Sequence, residues 1–560
     1  MDLGVGLLPV AALLAAAFLA RRFQLSEESR LESLLESRWA PLAVGVISAA
    51  TYWWLAGSLD PVAVIHDEAA YLLQARLFAS GRWAGPSPVL PEFFEQFHVF
   101  VVPKVAAKYP PGHALALTPG VLLGLPGLMP VVLTGATGAF LFALARRATN
   151  PWIALLAWAL WLASPGNLRF RASYFSEVTT TTLWLVGWWS LLNWRRNRER
   201  RWLLALAGAV AFGAVTRPLT MLAFALPVGA VVVLDVVRAR KWRDLMLAAS
   251  FGASILALLP LHNYMILGDW RANTWTEYAR VYLPFDRPGF QTDTSEALRP
   301  LPPDMQLLTA GFRPGYVAYT PSAVPRAFWE RGRTVAHDVW GAPWMVGFAL
   351  LAIIGALAAP APVVFAALTA ALLLISYLTY YHHPSWSVYY LEAHPILAVL
   401  SAIGVWEVSR RVARFGRPTE ADRWRSRAAT AGLLAVLATM APFLATRVLE
   451  GAAAGRAKRS YHESFRQLMR TIEEPAIVFI RYAPWHNIHL SLITNPPSYS
   501  EAPIWTVYDR GQDNVRLIKA VPDRVPYLFD EAKGELYRVR LLPERAAEDL
   551  TRPDERDSSE

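Results

Sequence analysis

The chain has 560 residues, of which 54% are hydrophobic and 18% charged, and it has no cysteine. Several apolar runs reach the ~17–25 residues that cross a bilayer, so a water-soluble globular protein is excluded and a polytopic membrane protein is expected. Disulfides and thiolate metal sites are excluded as well, and the net charge of +10 is no nucleic-acid footprint, because its basic residues crowd into short loops between apolar runs.

The first apolar run, Leu3 to Ala20, is followed rather than preceded by positive charge, at Arg21-Arg22. A signal peptide has the opposite order, so an uncleaved span with its N-terminus outside is expected. Residues 21–40 read as a polar surface helix, and Pro41 to Leu59 as the second span. That span leads to His66-Asp67-Glu68-Ala69-Ala70-Tyr71. The spacing of Tyr71, Leu72, Ala75 and Leu77-Phe78 predicts a short amphipathic helix in the interface plane. A carboxylate at this lip is suited to general-base work; the alternative is that Asp67 only caps the helix. A Pro-rich aromatic loop follows (Pro86, Pro88, Pro91, Phe93, Phe94, Phe97), then Lys108-Tyr109-Pro110-Pro111-Gly112. The two prolines and glycine make a rigid turn that holds Lys108 at a membrane boundary, where snorkelling is the plainer role for a lysine.

Further spans are expected at about 121–145, 151–164, 178–194, 202–216, 219–236 and 245–261, with Arg169, Arg171, Tyr174 and Glu177 in one outer loop and Arg217-Pro218 in the next. A long polar loop is expected over 262–343. Three more spans follow at about 344–358, 363–380 and 395–408, the last preceded by Tyr380-Tyr381-His382-His383-Pro384 and Tyr389-Tyr390-Leu391-Glu392, and a final one at about 429–445. Alternate loops hold the arginines: 195–201, 238–243 and 410–427, including Arg417. These loops read as cytoplasmic, which puts both termini and every acidic or aromatic loop outside. The expected fold is an all-α bundle of about twelve spans over residues 1–446, in a cell's inner (plasma) membrane. A small extracytoplasmic α/β domain is expected over 447–545, from a helix at 460–472 and β-like runs at 476–482, 504–508, 515–521 and 535–542. Residues 546–560 read as a disordered tail.

Asp67, Glu68, Lys108, Arg169, Arg171, Glu177, Arg217 and Glu392 all fall at outer span ends. Acids and bases from distant parts of the chain thus share one membrane face, as a pocket with a general base and a cationic phosphate clamp requires. Asp67-Glu68, Tyr109-Pro110-Pro111-Gly112, Ser176-Glu177, Arg217-Pro218 and Tyr389-Tyr390-Leu391-Glu392 occur in an order that resembles the GT-C glycosyltransferases, closest to the family 39-like protein O-mannosyltransferase and aminoarabinose-transferase branch. The resemblance covers roughly residues 40–410. It implies a polyprenyl-phosphate sugar donor, Asp67 as base, Lys108 at the donor phosphate and Glu177 as a second acid. Arg217 and Tyr390 are further carry-overs, and Tyr109, Tyr389 and Glu392 of the same motifs join the substrate-binding set. The arginine common after the acidic pair is missing here, which leaves the acceptor open: a protein, a lipid or a glycan.

Neighbours on a helix point about 100° apart, so Asp67 and Glu68 cannot face one substrate. Glu68 joins Asp67 and Glu177 as a candidate catalytic acid, less suited than Asp67 to be the base and alternatively holding the helix end or meeting Arg76 or Lys108, and a cation, Lys108 or Arg217, is expected beside Asp67. His66, His382, His383 and His394 lack the spacing of a metal motif, so structural roles are expected for them. No cofactor is called for, although the resemblance leaves a divalent ion open. The rival reading is a transporter or flippase of lipid-linked sugars. It fits less well, because charges avoid the span centres and no repeat is visible.

Overall fold

Side chains that a water-soluble bundle would bury lie on the outside of this one. Leu42, Val46 and Ile47 on helix Ala40–Ala56, Leu222, Leu226 and Leu234 on Pro218–Ala239, and Leu350, Ile353 and Leu357 on Met345–Ala358 are all exposed. Such a belt is stable in lipid, where helices satisfy their own backbone groups. The computed structural model describes residues 3–19, 30–290, 293–414 and 422–540, which are mostly helical. Among the described residues, six helices are long and apolar enough to cross a membrane, or eight if two bent pairs each count as one span. These features indicate an integral membrane protein. The expected twelve included shorter pieces such as Pro151–Leu162, whose 12 residues extend only about 18 Å. Arg21, Arg22, Arg417 and the tail 546–560 lie outside the described residues.

Small residues let the helices approach closely. A Cβ on Gly355 would run into the Leu400 carbonyl, and one on Gly404 into that of Leu351, so helices Met345–Ala358 and His394–Arg414 cross with their backbones almost touching. Arginines gather at one end of the bundle, where Arg195 and Arg198 pair with Asp235 at 3.1 and 2.9 Å, and Arg200 with Asp244 at 2.7 Å. The candidate site lies at the other end.

Several expected elements differ. The span drawn from Val121 is two helices, Gly112–Leu122 and Leu128–Ala148, separated by a turn in which Gly124 has φ +69°. The stretch expected as a polar loop holds three helices, Thr274–Tyr282, Pro303–Ala318 and Val324–Trp340, which bury Tyr278, Tyr282, Met305 and Trp340. The helix expected in the interface plane, His66–Ala79, is buried nearly all round, with Ala70, Tyr71, Leu72 and Leu73 covering a full turn. Apolar residues on every side make a core helix rather than an amphipathic one.

The helix Asp422–Met469 runs unbroken through 446–447, where a domain boundary was expected. Its end carries a four-stranded sheet. Strand Ala476–Arg481 lies parallel to Ile504–Tyr508 on one side and to Val525–Asp530 on the other, and Glu535–Arg538 pairs antiparallel at the edge. The run expected as a strand over 515–521 is instead the helix Asn514–Ala520. Parallel neighbours need a crossover, and this helix supplies it by burying Leu517 and Ile518. The sheet shares a core with the first loop, Phe93 meeting Phe479 and Phe94 meeting Trp505 edge-on. Tyr508 donates to both carboxylate oxygens of Asp304, at 2.7 and 2.8 Å.

Candidate active site

Glu68, not Asp67, starts the helix His66–Ala79. Its Oε2 accepts the N–H groups of Val64 (3.0 Å) and Ile65 (2.9 Å), and its Oε1 that of Tyr174 (3.1 Å). This is the return half of a capping box, with Ile65 at the N-cap. Glu68 is 3% exposed and its pKa is raised by burial. Three backbone donors thus occupy Glu68, which favours its helix-end role over a catalytic one. Glu68→Gln replaces an accepting oxygen with a donor that faces N–H groups. It is expected to lower stability by about 1–3 kcal/mol while leaving the transfer rate per folded molecule near wild type; thermal unfolding and specific activity measured side by side check both.

Freed from capping, Asp67 points into the site. Its Oδ1 accepts the Tyr109 hydroxyl at 2.5 Å, and its Oδ2 lies 3.6 Å from His66 Nε2 and 3.7 Å from His98 Nε2. Its side chain is 31% exposed, so substrate and water reach it. The expected cation beside Asp67 is absent from this inner ring of contacts, which consists of imidazoles and a phenol. Burial lowers the His66 pKa to about 4 and that of His98 well below its usual value, so both rings are neutral at pH 7. Burial and the Asp67 charge hold the proton on Tyr109.

His66, Asp67 and His98 each offer a ligand atom, all within 4.8 Å of one another. The Nδ1 atoms of both histidines are buried without a hydrogen-bond partner. Two neutral imidazoles and a carboxylate fit a divalent transition ion with open positions for substrate.

Lys108 is one step from Asp67 but turns away. Its Nζ meets Asp286 at 3.2 Å and lies over the Trp275 ring at 4.2 Å, with Tyr278 at 5.1 Å. Its side chain is 2% exposed, so the snorkelling alternative falls. Asp286 also accepts the hydroxyls of Tyr380 (2.6 Å) and Tyr316 (3.1 Å). Arg217 forms a second buried centre: it pairs with Glu177, lies 3.9 Å from Glu392 and donates to the Tyr377 hydroxyl at 3.0 Å. Thr180 donates to Glu392. Two aromatics join the centres. Tyr71 stacks on Tyr109 at 4.5 Å and donates to Ser176, next to Glu177. Tyr389 lies under the Arg217 guanidinium, 5.6 Å from its ring centroid.

The structure thus gathers Asp67, Lys108, Tyr109, Glu177, Arg217, Tyr389 and Glu392 at one end of the bundle. Tyr390 points elsewhere, its hydroxyl 2.8 Å from His382 Nε2. Asp286, His98, Trp275 and Tyr278 were missed, for no motif surrounds them. Below Glu392 a narrow apolar groove of about 70 Å³ runs between helices Leu128–Ala148, Glu177–Asn197, Ala361–Ser376 and His394–Arg414. Leu141, Trp184, Trp188, Val363 and Val399 line it, and Glu392 is its one ionisable wall. Glu392 Oε2 is buried without a hydrogen-bond partner.

No family model matches the sequence, and no curated protein matches it. Among solved structures the chain is similar to ArnT from Cupriavidus metallidurans bound to undecaprenyl phosphate, at 16% identity over 89% of this chain and 91% of that one, with a TM-score of 0.45. It is also similar to the Archaeoglobus fulgidus oligosaccharyltransferase in the apo form (13%, 74% and 56%, 0.44) and to arabinosyltransferase EmbB from Mycobacterium smegmatis (12%, 80% and 44%, 0.41).

Proposed function

We propose that this chain is a GT-C-type membrane glycosyltransferase that moves a sugar from a polyprenyl-phosphate donor to an acceptor hydroxyl with inversion. The observation that carries this reading is the apolar groove closed at its head by Glu392, whose Oε2 has no hydrogen-bond partner. The apolar lining suits part of a lipid tail, and a sugar hydroxyl suits an orphan buried acceptor. Glu392 lies beside Arg217, which covers the Tyr389 ring, and the partly exposed carboxylate of Asp67 lies at the same end of the bundle.

Asp67 removes the acceptor's hydroxyl proton as that oxygen attacks the anomeric carbon from the face opposite the phosphate. The bond from the anomeric carbon to the phosphate oxygen breaks, and polyprenyl phosphate leaves with the electron pair. Tyr109, which keeps its proton, holds Asp67 in place. Lys108 and Arg217 flank the site with positive charge, and the leaving phosphate is stabilised by exchanging for one of their carboxylate contacts. An ion held by His66, Asp67 and His98 would polarise the acceptor oxygen. The arginine-rich opposite end supports an extracytoplasmic site in an inner (plasma) membrane.

Purified protein incubated with a panel of polyprenyl-phosphate sugars is expected to cleave one of them in the presence of acceptor. Carriage of an intact lipid-linked sugar across vesicles without cleavage would instead favour a flippase. Lys108→Met is expected to weaken binding of undecaprenyl phosphate about tenfold or more, since a charge-assisted hydrogen bond contributes on the order of 1.5–3 kcal/mol. Unchanged affinity would remove Lys108 from the clamp.

A further inference from the structure

The loop after strand Ala476–Arg481 reaches from the C-terminal sheet into the Asp67 pocket. His489 lies against His66, ring centroids 5.5 Å apart and planes 29° apart, and it feels the Asp67 charge. On its other side it meets Phe312 edge-on at 6.1 Å and Trp386 at 6.5 Å, and Phe312 packs on Trp386 at 5.1 Å. These rings come from three distant parts of the chain. All three are partly exposed, as is Asp67. They are not closed core.

The loop is held firmly. His486 stacks on Tyr482 at 3.8 Å, and its Nδ1 lies 2.8 Å from Glu531. Glu531 also accepts the Ala483 N–H at 2.8 Å and the Tyr461 hydroxyl at 2.5 Å. Leu492 N–H donates to the Tyr482 hydroxyl at 2.9 Å. The sheet itself is tied to the outer helices by Tyr508 and Asp304. His489 is thus presented by an anchored loop and has a fixed position over the site.

We propose that His489, Trp386 and Phe312 form the acceptor wall of the Asp67 site and that the acceptor they take is a saccharide. Partly exposed aromatic rings offer flat apolar faces to the C–H side of a pyranose, and an imidazole at the rim offers a hydrogen bond to a ring hydroxyl. A hydroxyl of a ring seated there faces Asp67, the proposed proton acceptor. On this account the C-terminal sheet completes the site: it supplies the surface that holds the second substrate. The proposal rests on the glycosyltransferase reading above and names its acceptor class.

The test uses the full chain in detergent, with methyl pyranosides and short oligosaccharides as probes and saturation-transfer NMR as the readout. Wild type is expected to bind at least one probe through its ring C–H groups. Trp386→Ala and His489→Ala are each expected to weaken that binding roughly three- to tenfold, and His489→Phe, which keeps a flat ring against His66, is expected to stay within about threefold of wild type. Undecaprenyl-phosphate binding, measured on the same samples, is expected to be unchanged in all three variants. Equal saccharide affinity in wild type and both alanine variants overturns the proposal, as does the absence of saccharide binding to wild type that still binds undecaprenyl phosphate. Loss of the lipid phosphate in wild type would instead sink the glycosyltransferase reading, so the two failures are distinguishable.

Discussion

Asp67→Asn is expected to slow sugar transfer at least about a hundredfold in protein that folds and binds donor as wild type does. General-base catalysis contributes about 10²–10⁴-fold. Asparagine keeps the size of the side chain and an oxygen able to accept from Tyr109, so the 2.5 Å contact has a substitute. The helix start is untouched, because Glu68 makes the cap. What is removed is the group that takes the proton. Transfer by purified Asp67→Asn at near the wild-type rate would leave Glu177 as the alternative base, despite its pairing with Arg217. His66→Ala and His98→Ala, assayed with and without a chelator, separate a base from a metal ligand. Chelation that lowers the wild-type rate but not that of the histidine variants would assign an ion to the pocket.

Arg217→Met is expected to do its main damage to stability. Arg217 is 9% exposed and sits between Glu177 and Glu392, with Tyr377 as a further partner. Removing one member of a buried ion pair typically costs about 3–5 kcal/mol, because the remaining charge is stranded. Two carboxylates are stranded here. The variant should show a large fall in thermal midpoint or fail to accumulate in membranes. Adding Glu177→Gln should recover much of the loss by removing one of the stranded charges. Single and double variants with equal midpoints would mean that the pair contributes little. A defect in donor binding counts as evidence for a phosphate clamp only in a variant background that folds.

Features set by nearby residues were readable from the sequence. Apolar runs declared the helices, and Asp67, Lys108 and Glu177 stood out as charges at span ends. Glu68 was harder, since a capping box is normally announced by serine or threonine at the N-cap, and here that position is Ile65. The segment 515–521 has the apolar composition of a strand, and only the parallel pairing around Ala476–Arg481 requires it to cross as a helix. Asp286 meets Lys108 across 178 residues and His489 meets His66 across a still longer separation. No local pattern encodes such meetings; packing makes them. The polar stretch 262–343 misled because its helices keep a wet face, which lowers mean hydropathy while burying tyrosines beneath.

The 48-residue helix Asp422–Met469 has a mechanical consequence. At 1.5 Å per residue it is about 72 Å long, more than twice the ~30 Å of a hydrocarbon core. It is a lever with one arm in the lipid and the other beneath the sheet that holds His489. Helices tilt when bilayer thickness changes, and a 5° tilt would move the end of a ~35 Å arm by roughly 3 Å. Because Tyr508 and Asp304 tie the sheet to the outer helices, a tilt of that size would load this tie before it moved His489.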